Sequence, residues 1–426
     1  MAAPRIRPQT LEEQIIYGTI VGSWALWLVG GLYVASPVIG WLLLAIAVAR
    51  MLGLRADAAP AKGIPLGVLV WVAGMLVLLV ALIVGHLEFD LGAAKTLKSF
   101  MGWIKGWALL AVFVCVGATM RIRPAVLYRA SCVLGAQTLL LTPIFVLAAL
   151  LQLPRILYVS PLLAIGGPGP EFFNVELYGV EPTTGQPRWR FFAPWAPAAG
   201  IIASMSYIFA LYERDWRWKA IGLLSALVVC VLSQTRMALV AVPAITIAIL
   251  VLSNLSRSWP FAGAAIVCLL ALPFLESIMN LIDDLQSAFL GARASSSRVR
   301  ATLQSIAVHR WGSEAPVWGH GIVERGSHLV EYMPIGSHHT WNGLLFVKGI
   351  VGFAALALPL AWSSVEMLIK AQCDRVARAA LAMLMLLGLF SFGENLEILI
   401  YLVWPGMVLV GIATRRRLMN PFRRRL

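Results

Sequence analysis

The chain is predicted to be an all-α polytopic membrane protein of about twelve transmembrane helices with a helical cap outside the membrane. Three observations predict it. Hydrophobic residues make up 60% of the 426 residues and charged residues only 13%, and the mean hydropathy of +0.83 lies well above the soluble range. Apolar runs of about 20 residues, the length that crosses a hydrocarbon core, recur along the chain. Lys and Arg gather in alternate loops, the bias of loops held on the cytoplasmic side. The 16 tryptophans fit interfacial anchors.

In chain order the spans fall near 15–35, 37–53, 65–86, 102–120, 124–151, 194–212, 217–234, 236–253, 260–278, 341–365, 377–393 and 396–413. The second is short, and the fifth is long enough to kink or tilt. The first is too long for a cleaved signal peptide, and its flank, with Glu12 and Glu13, is too acidic. With the N-terminus in the cytoplasm, Arg5, Arg7, Arg50, Arg55, Lys62, Arg121, Arg123, Arg129, Arg214, Arg217, Lys219, Arg257, Lys370, Arg375 and Arg378 all face inside. An even number of spans returns the tail cluster of Arg415, Arg416, Arg417, Arg423, Arg424 and Arg425 to the same side. Much of the net charge of +14 is then a topology signal and a contact with anionic membrane lipids, and no nucleic-acid partner is expected.

Two long segments fall outside, 152–193 and 279–340. The first is Gly- and Pro-rich at 165–170 and carries Arg188-Trp189-Arg190. The second begins amphipathically with Leu281, Leu285, Phe289 and Leu290 and turns polar at Ser295-Ser296-Ser297. A helix follows over 298–311, with Val299, Leu303, Ile306 and Ala307 at helical spacing. Gly319-His320-Gly321 marks a turn. No repeat or low-complexity linker appears, so residues 1–426 form a single membrane domain whose external segments make the cap and catalytic region.

Arginines on the outer side run against the orientation bias and need another reason to be there. Arg188 and Arg190 precede the sixth span, Arg236 opens the eighth in Ser233-Gln234-Thr235-Arg236, and the second loop carries Arg293, Arg298, Arg300 and Arg310. Guanidinium forks suit phosphate oxygens. The alternative is snorkelling to headgroups, or pairing with Asp283, Asp284, Glu314 or Glu324. His338 and His339 sit where the loop meets the tenth span, and a neutral imidazole there can accept a proton from a sugar hydroxyl. The alternative for either is a histidine capping the span; Ser337 is the expected N-cap. Glu394, Asn395 and Glu397 link the last two spans, where carboxylates so near hydrocarbon pair with cations, orient a histidine, or form a solvated hairpin.

The remaining histidines, His86, His309, His320 and His328, lack zinc spacing, and Cys115, Cys132, Cys230, Cys268 and Cys373 form neither a metal nor a disulfide pattern. No nucleotide, dinucleotide or serine-hydrolase motif appears in a suitable context, and an Asp-x-Asp motif is missing. No metal and no cofactor is expected.

Three blocks resemble the O-antigen ligase and polymerase superfamily of bacterial envelope glycosyltransferases. They are Ser297-Arg298-Val299-Arg300 with Val317-Trp318-Gly319-His320-Gly321, then Gly336 to Leu345 with Lys348-Gly349-Ile350-Val351-Gly352-Phe353, and Ser233-Gln234-Thr235-Arg236. The resemblance covers about 188–360. Many members carry Asn directly after the histidine where His339 stands here, so the family histidine maps to His338, with His339 in reserve. The segment around Arg190 matches only in its arginine.

The resemblance implies about twelve spans in the bacterial inner membrane, both termini cytoplasmic, and a helical periplasmic cap. It implies an undecaprenyl-diphosphate-linked glycan donor, a lipid A–core acceptor, and metal-independent, inverting transfer at the periplasmic face. His338 is the expected base. Arg236, Arg298, Arg300 and Arg190 are expected on the diphosphate, and His339, Arg188, Arg310 and Glu394 are secondary. A polymerase shares the donor but extends a second lipid-linked glycan. A protein O-oligosaccharyltransferase commonly carries a longer C-terminal region. A transporter for a lipid-linked or anionic solute shares the even span count but usually shows repeats and mid-membrane charges.

Overall fold

A computed structural model describes residues 6–54, 63–181, 184–291 and 294–416. Arg5, Arg55, Lys62, Arg293, Arg417, Arg423, Arg424 and Arg425 lie outside the described residues, as do the side chains of Leu285, Phe289, Leu290, Ser295, Ser296 and Ser297.

The chain is mostly helical. Its described helices are α1 (Leu11–Val21), α2 (Ser23–Leu28), α3 (Leu32–Met51), α4 (Leu66–Glu88), α5 (Ala93–Lys105), α6 (Trp107–Thr119), α7 (Pro124–Leu150) and α8 (Ala196–Tyr212). After these come α9 (Trp216–Leu232), α10 (Arg236–Leu252), α11 (Trp259–Ala271), α12 (Leu275–Gly291), α13 (Ala294–Glu314), α14 (Thr340–Ala371), α15 (Arg375–Phe390) and α16 (Leu396–Arg415).

Among the described residues, seven stretches are long and apolar enough to cross a membrane: α3, α4, α5 with α6, α7, the run Trp259–Ser277 through α11, α14, and α16. The helices α8 and α10 are apolar but shorter, at 17 residues each. The run expected at 15–35 is not one rod. It breaks at Gly22, between α1 and α2, and turns at Gly30, whose φ is +68°. The expected 102–120 span begins earlier, at Ala93, with a break at Gly106.

The most enclosed helix is α16, with 89% of its apolar window buried. Its backbone approaches that of α6 so closely that a Cβ on Gly411 would lie 2.1 Å from Val114 O, and one on Gly117 2.1 Å from Val408 O. Small residues at such crossings let helix backbones meet where lipid supplies no hydrophobic drive.

Helix ends are tied by ion pairs: Arg50 to Glu12 at 2.9 Å, Arg123 to Glu13 at 2.6 Å, and buried Arg129 to Glu213 at 3.1 Å. The two acidic residues of the first flank thus have partners, which offsets the cost of their burial.

The segments between α7 and α8 and between α13 and α14 carry three two-stranded antiparallel hairpins. These are β1 (Ile156–Val159) with β2 (Asn174–Glu176), β3 (Gly179–Val180) with β4 (Pro187–Arg188), and β5 (Glu324–Arg325) with β6 (Pro334–Ile335). The all-helical expectation omits them because strands of two to four residues are too short to show alternation. The loop helix expected at 298–311 is present and longer, as α13. Val299, Leu303 and Ala307 are buried against Phe346 of α14, with Ile306 packed beside them.

Candidate active site

The start of α14 is fastened to the turn between α15 and α16. Thr340 donates its N–H to Ser391 O at 3.0 Å and its hydroxyl to Glu394 O at 2.6 Å, and that hydroxyl accepts Leu396 N at 3.0 Å. Trp341 Nε1 donates to Ser391 Oγ at 2.7 Å. This fastening begins the helix at Thr340, three residues after Ser337. The helix is therefore capped by His339, not by Ser337 as expected. The His339 backbone is extended, its Nδ1 accepts from Asn342 N at 3.2 Å, and its ring lies edge-on to Phe392. Ser337 Oγ instead donates to Pro334 O at 2.6 Å.

His338 is left with a half-buried ring for which no hydrogen-bond partner is found among the described residues. Burial, and after it the neighbouring Arg300 charge, together lower its pKa to about 4, so the imidazole is neutral at pH 7.

Glu394 is the hub of the group. It is 6% exposed; its carboxylate accepts Trp195 Nε1 at 3.0 Å and faces Arg300 at 3.8 Å, while Arg300 Nη1 donates to Gly393 O at 3.0 Å. Burial raises the Glu394 carboxyl to about 7 against the opposing pull of Arg300, Trp195 and Arg188. Arg188 donates from Nε to Ser233 O at 2.7 Å and pairs with Glu181 at 3.1 Å. Ser233 belongs to the turn that leads into Arg236, the first residue of α10. Thr235 Oγ1 holds that turn to Ala196 O at 2.8 Å, and the Met237 side chain lies against Gly393. His338, Arg300, Glu394, Arg188 and Arg236 therefore gather at one end of the helices.

Other expected residues lie elsewhere. Arg190 pairs with Glu176 and donates to Pro194 O; burial lowers its pKa to about 10, with Glu171 and Tyr401 opposing. It stays cationic and is committed to these two partners. Arg298 is exposed on α13 and, two residues from Arg300, does not share its face. Arg310 is committed to a clamp of its own. It holds Glu314 at 2.7 Å and Glu324 at 2.6 Å over the Phe346 ring, and Glu314 also meets His320 Nε2 at 2.8 Å. Arg310 and His320 hold the Glu314 carboxyl down at about 2.

The fold adds a device behind the site. Inside α14, Gly349 has φ +61° and ψ −166°, which breaks the helix. The segment 316–321 fills the break. His320 N and Gly321 N donate to Phe346 O and Val347 O, while Pro316 O and Val317 O accept Ile350 N and Val351 N, at 2.8 to 3.3 Å. A Cβ on Gly349 would fall 2.1 Å from Val317 O. These four backbone groups thus have partners outside the helix, as a broken apolar helix requires. Lys348 at the break is 4% exposed, with Glu397 in its electrostatic range.

Trp195, Thr340 and Lys348 are not among the expected site residues, although Thr340 and Lys348 fall within the blocks that resemble the family. A charge inside an apolar run signals Lys348; no local signal marks Trp195 or Thr340, whose partners are far along the chain. Among the described residues no three His, Cys, Asp or Glu side chains gather as a metal-ligand set.

Residues 221–357 match the family model described as O-antigen ligase. The matched stretch carries Arg236, Arg298, Arg300, Arg310, His338 and His339, and leaves out Arg188, Arg190 and Glu394. No curated protein matches the chain.

Proposed function

From the similarity of residues 221–357 to the O-antigen ligase family, we propose that this multi-pass membrane protein is an inverting glycosyltransferase of the bacterial inner membrane. In this reading it has twelve spans, both termini cytoplasmic and the His338 cluster periplasmic. It moves O-antigen polysaccharide from undecaprenyl diphosphate to lipid A–core without a metal or cofactor.

His338 takes the proton of an acceptor sugar hydroxyl. The hydroxyl oxygen attacks the donor's anomeric carbon from the face opposite the diphosphate, the bond to the diphosphate oxygen breaks, and undecaprenyl diphosphate leaves with the electron pair. Arg300, Arg236 and Arg188 stabilise the charge that grows on the leaving oxygens, while Arg298 and Arg190 bind farther along the donor. Glu394 holds Arg300 in place before the donor arrives. His339 fixes the helix start from which His338 projects.

One observation carries this reading: a neutral imidazole with no partner among the described residues stands beside a fixed guanidinium, within the family-matched stretch. The test is transfer by the purified protein in detergent with EDTA, using undecaprenyl-diphosphate-linked glycan and lipid A–core. Glycan-bearing lipid A–core is the expected product. Extension of the donor alone would point to a polymerase, and no reaction of either kind by folded protein would point to transport.

A further inference from the structure

The opposite end of the helices holds a second polar site. The start of α7, the α8–α9 turn, the α14–α15 turn and the residue after α16 enclose a cavity of about 500 Å³. It is distinct from the His338 cluster, since α14, α15 and α16 each run from one to the other: His338 precedes α14, and Cys373 follows it into the cavity wall.

Four arginines line the cavity, Arg123, Arg214, Arg375 and Arg416, against two carboxylates, Glu213 and Asp374. Both carboxylates are engaged. Glu213 accepts two hydrogen bonds from Arg129, each 3.1 Å; Asp374 pairs with Arg416 at 2.5 Å and caps Val376 N at 2.9 Å. Arg123 is held by Glu13 at 2.6 Å. The exposed guanidinium groups of Arg214 and Arg375 have no carboxylate at ion-pair distance among the described residues.

An independent observation also points to a ligand. Tyr128 lines the same cavity and is 7% exposed, and its hydroxyl has no hydrogen-bond partner among the described residues. Its electrostatic neighbours, Tyr212, Asp374, Arg416 and Arg375, all belong to the cavity wall. A buried hydroxyl without a partner is uncommon and calls for one.

We propose that this cavity binds a phosphate-bearing anion, whose oxygens accept from Arg214, Arg375 and the Tyr128 hydroxyl. Planar guanidinium donors suit phosphate oxygens. At the ends of membrane helices the phosphodiester of a lipid headgroup and free phosphate offer the same chemistry.

The test follows thermal unfolding of the full chain in phosphate-free detergent buffer while inorganic phosphate is titrated in one arm and short-chain phosphatidylglycerol in the other. Saturable stabilisation is expected. Saturation by phosphatidylglycerol at the lower concentration assigns the lipid headgroup as source; saturation by phosphate with no added effect of lipid assigns the free anion. Arg214→Gln with Arg375→Gln should weaken the midpoint by about tenfold or more, and Tyr128→Phe by a few-fold. Arg217→Gln removes a cation near the α8–α9 turn but outside the cavity wall, and should leave the midpoint unchanged. No stabilisation in either arm, or an equal weakening by Arg217→Gln and the double variant, overturns the proposal.

Discussion

Two adjacent histidines divide two jobs because one is fixed by the helix start and the other is not. His339 satisfies an orphan N–H of α14, whereas among the described residues His338 is held by its backbone and its half-buried setting alone. The sequence showed both as one motif and left their order to the family register; it could not show that the cap falls on His339, because the helix start depends on Ser391 and Glu394, some fifty residues later. The Arg300 charge is the part of the His338 shift that mutation can remove. Arg300→Gln should move the His338 pKa upward from about 4 toward its ordinary 6.5, read by imidazole NMR titration. An unmoved value would detach Arg300 from the site. Glu394 behaves oppositely. Its folded pKa, about 7, lies above the ordinary 4.5, so its contribution to stability is full below pH 4.5 and is lost as pH rises through 7. The difference in melting temperature between wild type and Glu394→Gln should therefore change across that window, and a constant difference would refute the buried carboxyl.

At the level of elements, the loop helix was legible because Val299, Leu303 and Ala307 bury one face of α13, so the periodicity reported its packing. The break in α14 was not legible. Nothing in Lys348-Gly349-Ile350 marks it, because its cause is a segment some thirty residues earlier whose backbone takes over the helix's hydrogen bonds. Gly349→Ala adds a Cβ at a positive φ and 2.1 Å from Val317 O. It should cost about 1–3 kcal/mol, seen as a lower unfolding temperature. Unchanged stability would mean that residues 316–321 do not seat in the break. The same seating carries the Arg310 clamp to the start of α14, over Phe346, where this secondary arginine holds Glu314 and Glu324, two of the carboxylates the sequence offered as alternative partners.

For the whole molecule, the arginine-lined cavity of Arg214 and Arg375 and the His338 cluster lie at opposite ends of α14, α15 and α16. What composition could not supply was the convergence of α8, α10, α13 and α14 on Glu394, since it rests on contacts across nearly two hundred residues, such as Trp195 to Glu394. The orientation itself is open to chemistry. In a background with the five cysteines replaced, Ser337→Cys should react with a membrane-impermeant maleimide added outside the cell, and a cysteine restored at position 373 should not. The reverse pattern would invert the topology. The most direct test of the account is the transfer rate of folded His338→Ala and His339→Ala beside wild type, with lipid-linked glycan and lipid A–core at neutral pH. Loss of a general base costs about 10²- to 10⁴-fold, and that loss is predicted for His338→Ala alone, with His339→Ala retaining most of the rate. A His338→Ala protein that transfers glycan at the wild-type rate would contradict the account.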